Sequence, residues 1–130
     1  MVWLSCVMGL YILQTLIPNS VRYFSHEDLK EGLGIALGGR DEPPEMPVMG
    51  GRAERALNNM KEALPIFVTL ALLTMLRGPE VEAAAGTGAM VFFIARALYV
   101  PAYLSGIPGL RSAIWMVSCA GLGMMAYALA

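Results

Sequence analysis

Apolar residues gather in four runs along the chain, at positions 1–17, 63–76, 81–103 and 114–130, and only Glu82 and Arg96 interrupt the third. A helix rises 1.5 Å per residue, so roughly 20 apolar residues cross the hydrocarbon core of a bilayer. The second run is short, but the segment from Arg52 onward also reads as helix, which predicts a helix projecting beyond the membrane at one end. No stretch alternates with period two, as a membrane β-barrel would require. The pattern predicts an all-α integral membrane four-helix bundle in one domain, residues 1–130, with helices at about 1–22, 52–76, 80–104 and 110–130.

Between these runs, glycine and proline mark the breaks. Residues 25–51 hold Gly32, Gly34, Gly38, Gly39, Pro43, Pro44, Pro47, Gly50 and Gly51, a density that punctuates a helix rather than extends it. Within that connection Leu29–Leu37 is a candidate for a short interfacial helix, which Gly32 and Gly34 weaken. Helix one is expected to end near Pro18 or to continue towards Arg22, and helix two to begin near Gly51. Pro65, inside helix two, is expected to kink it. Helix three carries Ala84, Ala85, Gly86, Gly88 and Ala89, small residues that let membrane helices approach closely. Its end is set by the sequence Ser105-Gly106-Ile107-Pro108-Gly109.

Composition supports the membrane reading. Charged residues are 15% of the chain, against about a quarter in a soluble domain. A net charge of −1 offers no basic face to nucleic acid. The first run has no positive leader and is longer than a typical signal-peptide core, so it is expected to remain as a span. Arg22, Lys30, Arg40, Arg52, Arg55 and Lys61 all lie between the first two runs, whereas Arg77 stands alone in the next connection. The positive-inside rule then puts the first and third connections in the cytoplasm and both termini outside. Cys6 and Cys119 sit in separate apolar runs and read as buried packing thiols, without the spacing of a metal motif. His26 is a lone loop histidine, and the ten methionines are adaptable apolar fill.

The candidate chemistry lies in what the apolar pattern does not explain. Arg52, Arg55, Asn59 and Glu62 are spaced 3, 4 and 3 apart, which places them within an arc of roughly 80° on one helix face. Arg96, Tyr99 and Tyr103 repeat the spacing on helix three, and Arg111 follows at the start of helix four. An arginine at the bilayer centre costs about 2.5–3.5 kcal/mol on insertion scales, so Arg96 needs a reason. One reading is an Arg96–Glu62 pair that pins helices two and three. The other is a polar pocket for an anionic ligand, because Arg55, Asn59, both tyrosines and Arg111 converge on the same depth. Arginines bind carboxylates bidentately, and Asn59 with Glu62 suits amide and ammonium groups. A peptide with two carboxylates and an amine fits such a set, and glutathione is the abundant cytoplasmic one. Cations beside its thiol would favour the reactive thiolate.

At these residues the chain resembles the MAPEG family, membrane-associated proteins of eicosanoid and glutathione metabolism. The stretch RAERALNNMKEALPIF at 52–67 is similar to the family's second-helix signature, with Arg55, Asn59, Glu62 and Pro65 at matching positions. The stretch ARALYVPAYLSGIPGLRS at 95–112 is similar to the third-helix signature, with Arg96, Tyr99, Tyr103 and Arg111 matching. Leu57 and Ala63 stand where some relatives carry glutamine and tyrosine. The resemblance implies a bacterial-type microsomal glutathione transferase-like member that works as a homotrimer, with glutathione as co-substrate, no metal, and an apolar small-molecule acceptor entering from the membrane lipid. It further implies that Arg55, Asn59, Glu62, Arg96, Tyr99, Tyr103 and, more loosely, Arg22 contact glutathione, and that Arg111 stabilises the thiolate. A non-catalytic membrane lipid-binding or accessory protein on the same scaffold is the rival expectation. A small multidrug transporter is disfavoured because the first run contains no carboxylate to couple protons.

Overall fold

The computed structural model describes residues 2–24, 29–38 and 44–130. Among them the chain is all helical, with five helices: α1 Val2–Phe24, α2 Leu29–Leu37, α3 Val48–Arg77, α4 Pro79–Ser105 and α5 Leu110–Tyr127. Of these, α1, α3 and α4 are long and apolar enough to cross a membrane. At 30 residues, α3 is about 45 Å long, well beyond a hydrocarbon core of roughly 30 Å. Its polar first turns therefore have room outside the core. The charged linker residues Glu27, Asp28, Arg40, Asp41 and Glu42, together with His26, lie outside the described residues.

Outward faces are apolar, as a bilayer solvent requires. Ile12, Leu13 and Leu16 on α1, Ile66 and Leu76 on α3, and Leu98 on α4 are all exposed. An apolar surface of that extent is foreign to soluble monomers. Inside, Val7, Met60, Phe67, Ala89, Phe92 and Met125 form the core. Phe67 of α3 stacks on Phe92 of α4 with ring centroids 4.6 Å apart.

Glycine serves three jobs here, and only one of them is to break a helix. Gly78 (φ +112) and Gly106 (φ +72) end α3 and α4 in conformations that side chains disfavour, and Gly109 (φ +81) precedes α5. Gly50 and Gly51 lie inside α3, which begins at Val48 rather than near Gly51. The Gly51 amide donates to the Pro47 carbonyl at 2.9 Å, and Gly50 lies against Met46 and Val21. Gly32 sits within α2 because the carbonyl of Tyr23 occupies the space that a Cβ would need. Likewise, α1 runs through Pro18 to Phe24 and α3 is continuous through Pro65. In a helix packed by its neighbours, one lost backbone bond does not end the element.

The third job is close approach. Gly88 of α4 and Gly121 of α5 face each other so tightly that a Cβ on Gly88 would stand 2.7 Å from the Gly121 carbonyl oxygen. Gly88 and the backbone of Phe92, one turn on, thus form the part of α4 on which α5 lies closest. Gly121→Val is expected to lower stability by about 1–3 kcal/mol through overpacking. Gly86→Ala, with nothing within 4 Å of the added methyl, should not lower it and is expected to raise it by up to about 1 kcal/mol through helix propensity. Thermal unfolding of the two variants in detergent checks both outcomes.

Candidate functional site

α3, α4 and α5 each contribute one polar face, and the three faces meet in one groove. Arg96, on α4, is 1% exposed and is the largest fully buried side chain. Its Nη1 donates to Asn59 Oδ1 on α3 at 2.6 Å. The guanidinium also lies 5.2 Å from the Phe92 ring and 5.5 Å from the Tyr99 ring, one turn below and above it on its own helix. Contacts of this kind contribute about 0.5–2 kcal/mol each, on the scale of the roughly 2.5–3.5 kcal/mol that an arginine costs at a bilayer centre. Asn59 in turn donates through Nδ2 to Glu62 Oε2 at 3.5 Å. Asn59 therefore stands between Arg96 and Glu62, which one of the two readings of the sequence paired directly.

Above this relay lie the tyrosines. Tyr99 and Tyr103 pack edge to face with centroids 5.6 Å apart. Arg111, in the first turn of α5, donates from Nη1 to Tyr103 Oη at 3.3 Å and lies 5.2 Å over that ring. Arg55 approaches the same ring from α3, at 5.9 Å. One phenol is thus flanked by two guanidiniums from different helices.

Three adjoining cavities follow this line. The outermost, about 450 Å³, is lined by Arg52, Arg55, Tyr103, Arg111, Ser112 and the 106–109 turn. The middle one, about 410 Å³, shares Tyr103, Arg111 and Ser112 and adds Asn59, Tyr99, Trp115 and Met116. The innermost, about 140 Å³, runs between Asn59, Glu62 and Arg96 on one side and Ile66, Trp115, Cys119 and Leu122 on the other. The groove is cationic and hydroxylated at its mouth, and at its depth a polar wall of Asn59, Glu62 and Arg96 faces an apolar one of Ile66, Trp115, Cys119 and Leu122.

Of the residues singled out in the sequence, Arg55, Asn59, Glu62, Arg96, Tyr99, Tyr103 and Arg111 all line this groove. Arg22 does not: its Nε donates to the Pro44 carbonyl at 2.9 Å, which ties the end of α1 to the segment before α3. Cys6 and Cys119 are partly exposed rather than buried, and Cys119 lines the innermost cavity. Trp115 and Cys119 were missed as groove residues although they follow Arg111 at intervals of four, the spacing of one helix face. Gln14 was also missed. It is 3% exposed on α1, and its Nε2 donates to the Arg96 carbonyl at 3.4 Å. A lone glutamine in the first apolar run, like Arg96 in the third, was the available signal.

Fold and groove define a class: an integral membrane helical protein with a cationic site between its helices. Comparison with known proteins agrees, since the model of the MAPEG family matches residues 1–130. The chain belongs to the MAPEG family. It matches no curated protein and no solved structure.

Asn59→Leu removes the Arg96 acceptor and leaves a buried cation short of a partner. This is expected to destabilise the chain by about 1.5–3 kcal/mol, the range for hydrogen bonds to charged groups. Asn59→Asp retains an acceptor and should lose less. Thermal unfolding of both variants in detergent reads the difference.

Proposed function

We propose that this chain is a glutathione-dependent transferase or peroxidase of the bacterial-type microsomal glutathione transferase kind, acting on apolar electrophiles. The observation that carries the proposal is the charge balance of the groove. Arg55, Arg96 and Arg111 line it against one carboxylate, Glu62, while the Arg52 guanidinium is already held at the Leu104 carbonyl. A ligand with more than one anionic group answers that excess, and family membership makes glutathione the leading candidate.

In this reading Arg55 and Arg96 take the carboxylates of the tripeptide, by the bidentate geometry that guanidinium favours. Asn59 and Glu62 hold its amide and ammonium groups, and the Tyr99 and Tyr103 hydroxyls fix its backbone. Arg111 lies by the sulfur and favours the thiolate. The thiolate then forms a C–S bond at an electrophilic carbon, the displaced electron pair passing into the acceptor or its leaving group. Alternatively it attacks a peroxide oxygen, breaking the O–O bond to give an alcohol and glutathione sulfenic acid, which a second glutathione converts to the disulfide and water. Neither route needs a covalent enzyme intermediate. Catalysis is proximity together with electrostatic activation. The acceptor reaches the sulfur from the apolar end of the groove, along Ile66, Trp115 and Leu122.

The same reading assigns α5 as a fourth span, puts both termini outside, and opens the groove to the cytoplasm in keeping with the positive charges around the first connection. It takes a homotrimer as the working unit. Arg22, absent from the groove of its own chain, would then act from a neighbouring subunit. Leu57 and Ala63 are both buried, and Ala63 also lines the innermost cavity, so an alanine where some relatives carry tyrosine leaves the groove wider beside Glu62.

Glutathione titrated into detergent-purified protein, followed by binding and by thiolate absorbance near neutral pH, tests the proposal. Wild type is expected to bind and to form thiolate. Arg111→Ala should keep binding and lose about tenfold or more of the thiolate, the equivalent of at least one pKa unit or about 1.4 kcal/mol. Arg96→Ala should lose binding. A wild-type protein that neither binds glutathione nor forms thiolate overturns the enzyme reading and favours a lipid-binding or accessory role.

A further inference from the structure

The last carbonyls of a helix have no donor within it. At the end of α4 the sequence sharpens this shortage, because the residue four places after Leu104 is Pro108, which has no N–H to give. α4 has no basic residue in its own last turn. The donor comes from another helix: Arg52 Nη1, near the start of α3, donates to the Leu104 carbonyl at 2.9 Å. A cation at a helix C-terminus also meets the negative end of the helix dipole.

The same guanidinium rests on the turn that follows. A Cβ at Gly106 would stand 2.8 Å from Arg52 Nη1 and 3.1 Å from its Cζ and Nη2. Gly106 and Gly109 both have positive φ, and the turn leads straight into α5, whose second residue is Arg111. Arg111 returns to α4 at Tyr103, the residue before Leu104. Arg52 and Arg111 therefore hold adjacent residues at the same end of α4, and both line the cavity beside the glycine-rich turn.

We infer that Arg52 is a positioning residue: it latches the end of α4 and the 106–109 turn to α3, and so holds Arg111 at the place where the thiol arrives. The part concerning the thiol rests on the proposed function, whereas the latch itself does not. A turn with two positive-φ glycines has little stiffness of its own, and Arg111 hangs on its far side. Charge at residue 52 alone would not serve, because the carbonyl of Leu104 and the bare surface of Gly106 fix where that charge must lie.

Two variants break the latch in different ways. Arg52→Gln removes the cation, while Gly106→Ala keeps it but fills the space its guanidinium uses. Gly109→Ala, at φ +81 with nothing within 4 Å of the added methyl, is the control whose strain-induced exchange is subtracted. Three quantities are followed: glutathione affinity, the pH midpoint of thiolate formation, and backbone hydrogen exchange across residues 105–112. Both variants are expected to raise exchange in that segment about tenfold, leaving α1 unchanged. Both should also raise the thiolate midpoint by about one pH unit, with affinity held within about threefold. If Arg52→Gln instead weakens affinity tenfold or more with exchange unchanged, Arg52 is a direct ligand and the inference is overturned. Unchanged exchange in both variants overturns it as well. Should wild type fail to bind glutathione, the proposed function falls, and the exchange result alone then decides for or against the latch.

Discussion

A buried arginine in an apolar helix is the constraint around which this molecule is arranged. Arg96 is almost wholly removed from its surroundings, in a segment long and apolar enough to cross a bilayer, where an unpaired charge is not tolerated. Its guanidinium has to be met by something, and what meets it is Asn59 on α3 together with the faces of Phe92 and Tyr99. Those partners dictate that α3 and α4 lie side by side with the two polar faces in register. The stacked pair of Phe67 and Phe92 continues the same seam as apolar packing. Even α1, which carries no charge in its apolar run, is drawn in by Gln14 at the Arg96 carbonyl. One expensive side chain thus brings three helices to a common level.

Much of this was legible in the sequence, because a polar residue in a membrane helix is costly and so points to a partner or a ligand. The spacings 55–59–62 and 96–99–103 announced two faces, and both line the groove. The direct Arg96–Glu62 pair was the less accurate alternative. Spacing gives the azimuth of a side chain, but it does not say which of two neighbours stands closer, and Asn59 intervenes. The later start expected for helix two has a local cause. Read by propensity alone, Gly50 and Gly51 mark a helix boundary, and Pro18 left two ends open for helix one, of which the continuation past Arg22 is the one observed. In the folded chain Gly50 is there for the close approach of Met46 and Val21, and Pro18 is carried within a packed helix. That information is tertiary and has no local signature. Gly32, which weakened the expectation of α2, is what lets α2 lie against the end of α1.

Arg22 and Arg52 show the same limit from the opposite direction. Both sit in the basic stretch that suggested topology, and from sequence both are simply cations near an interface. In the structure each donates to a main-chain carbonyl, Pro44 in one case and Leu104 in the other. Main-chain acceptors are invisible to motif reading, because every residue has one. Only the shortage at Leu104, created by Pro108, could have been deduced, and only by asking where each carbonyl finds its donor. The groove's apolar half was hidden for a different reason: Trp115, Met116 and Leu122 look like ordinary membrane residues.

That division of the groove has a consequence for how such a chain diversifies. The hydrogen bonds of Arg52, Arg96 and Arg111 run to Leu104, Asn59 and Tyr103, and none of them involves Trp115, Met116, Cys119 or Leu122. The walls of the deeper cavities can be resized by mutation while the cationic end keeps its wiring. A lineage built on this plan inherits the costly polar half intact and explores new shapes in the cheap half, one apolar substitution at a time.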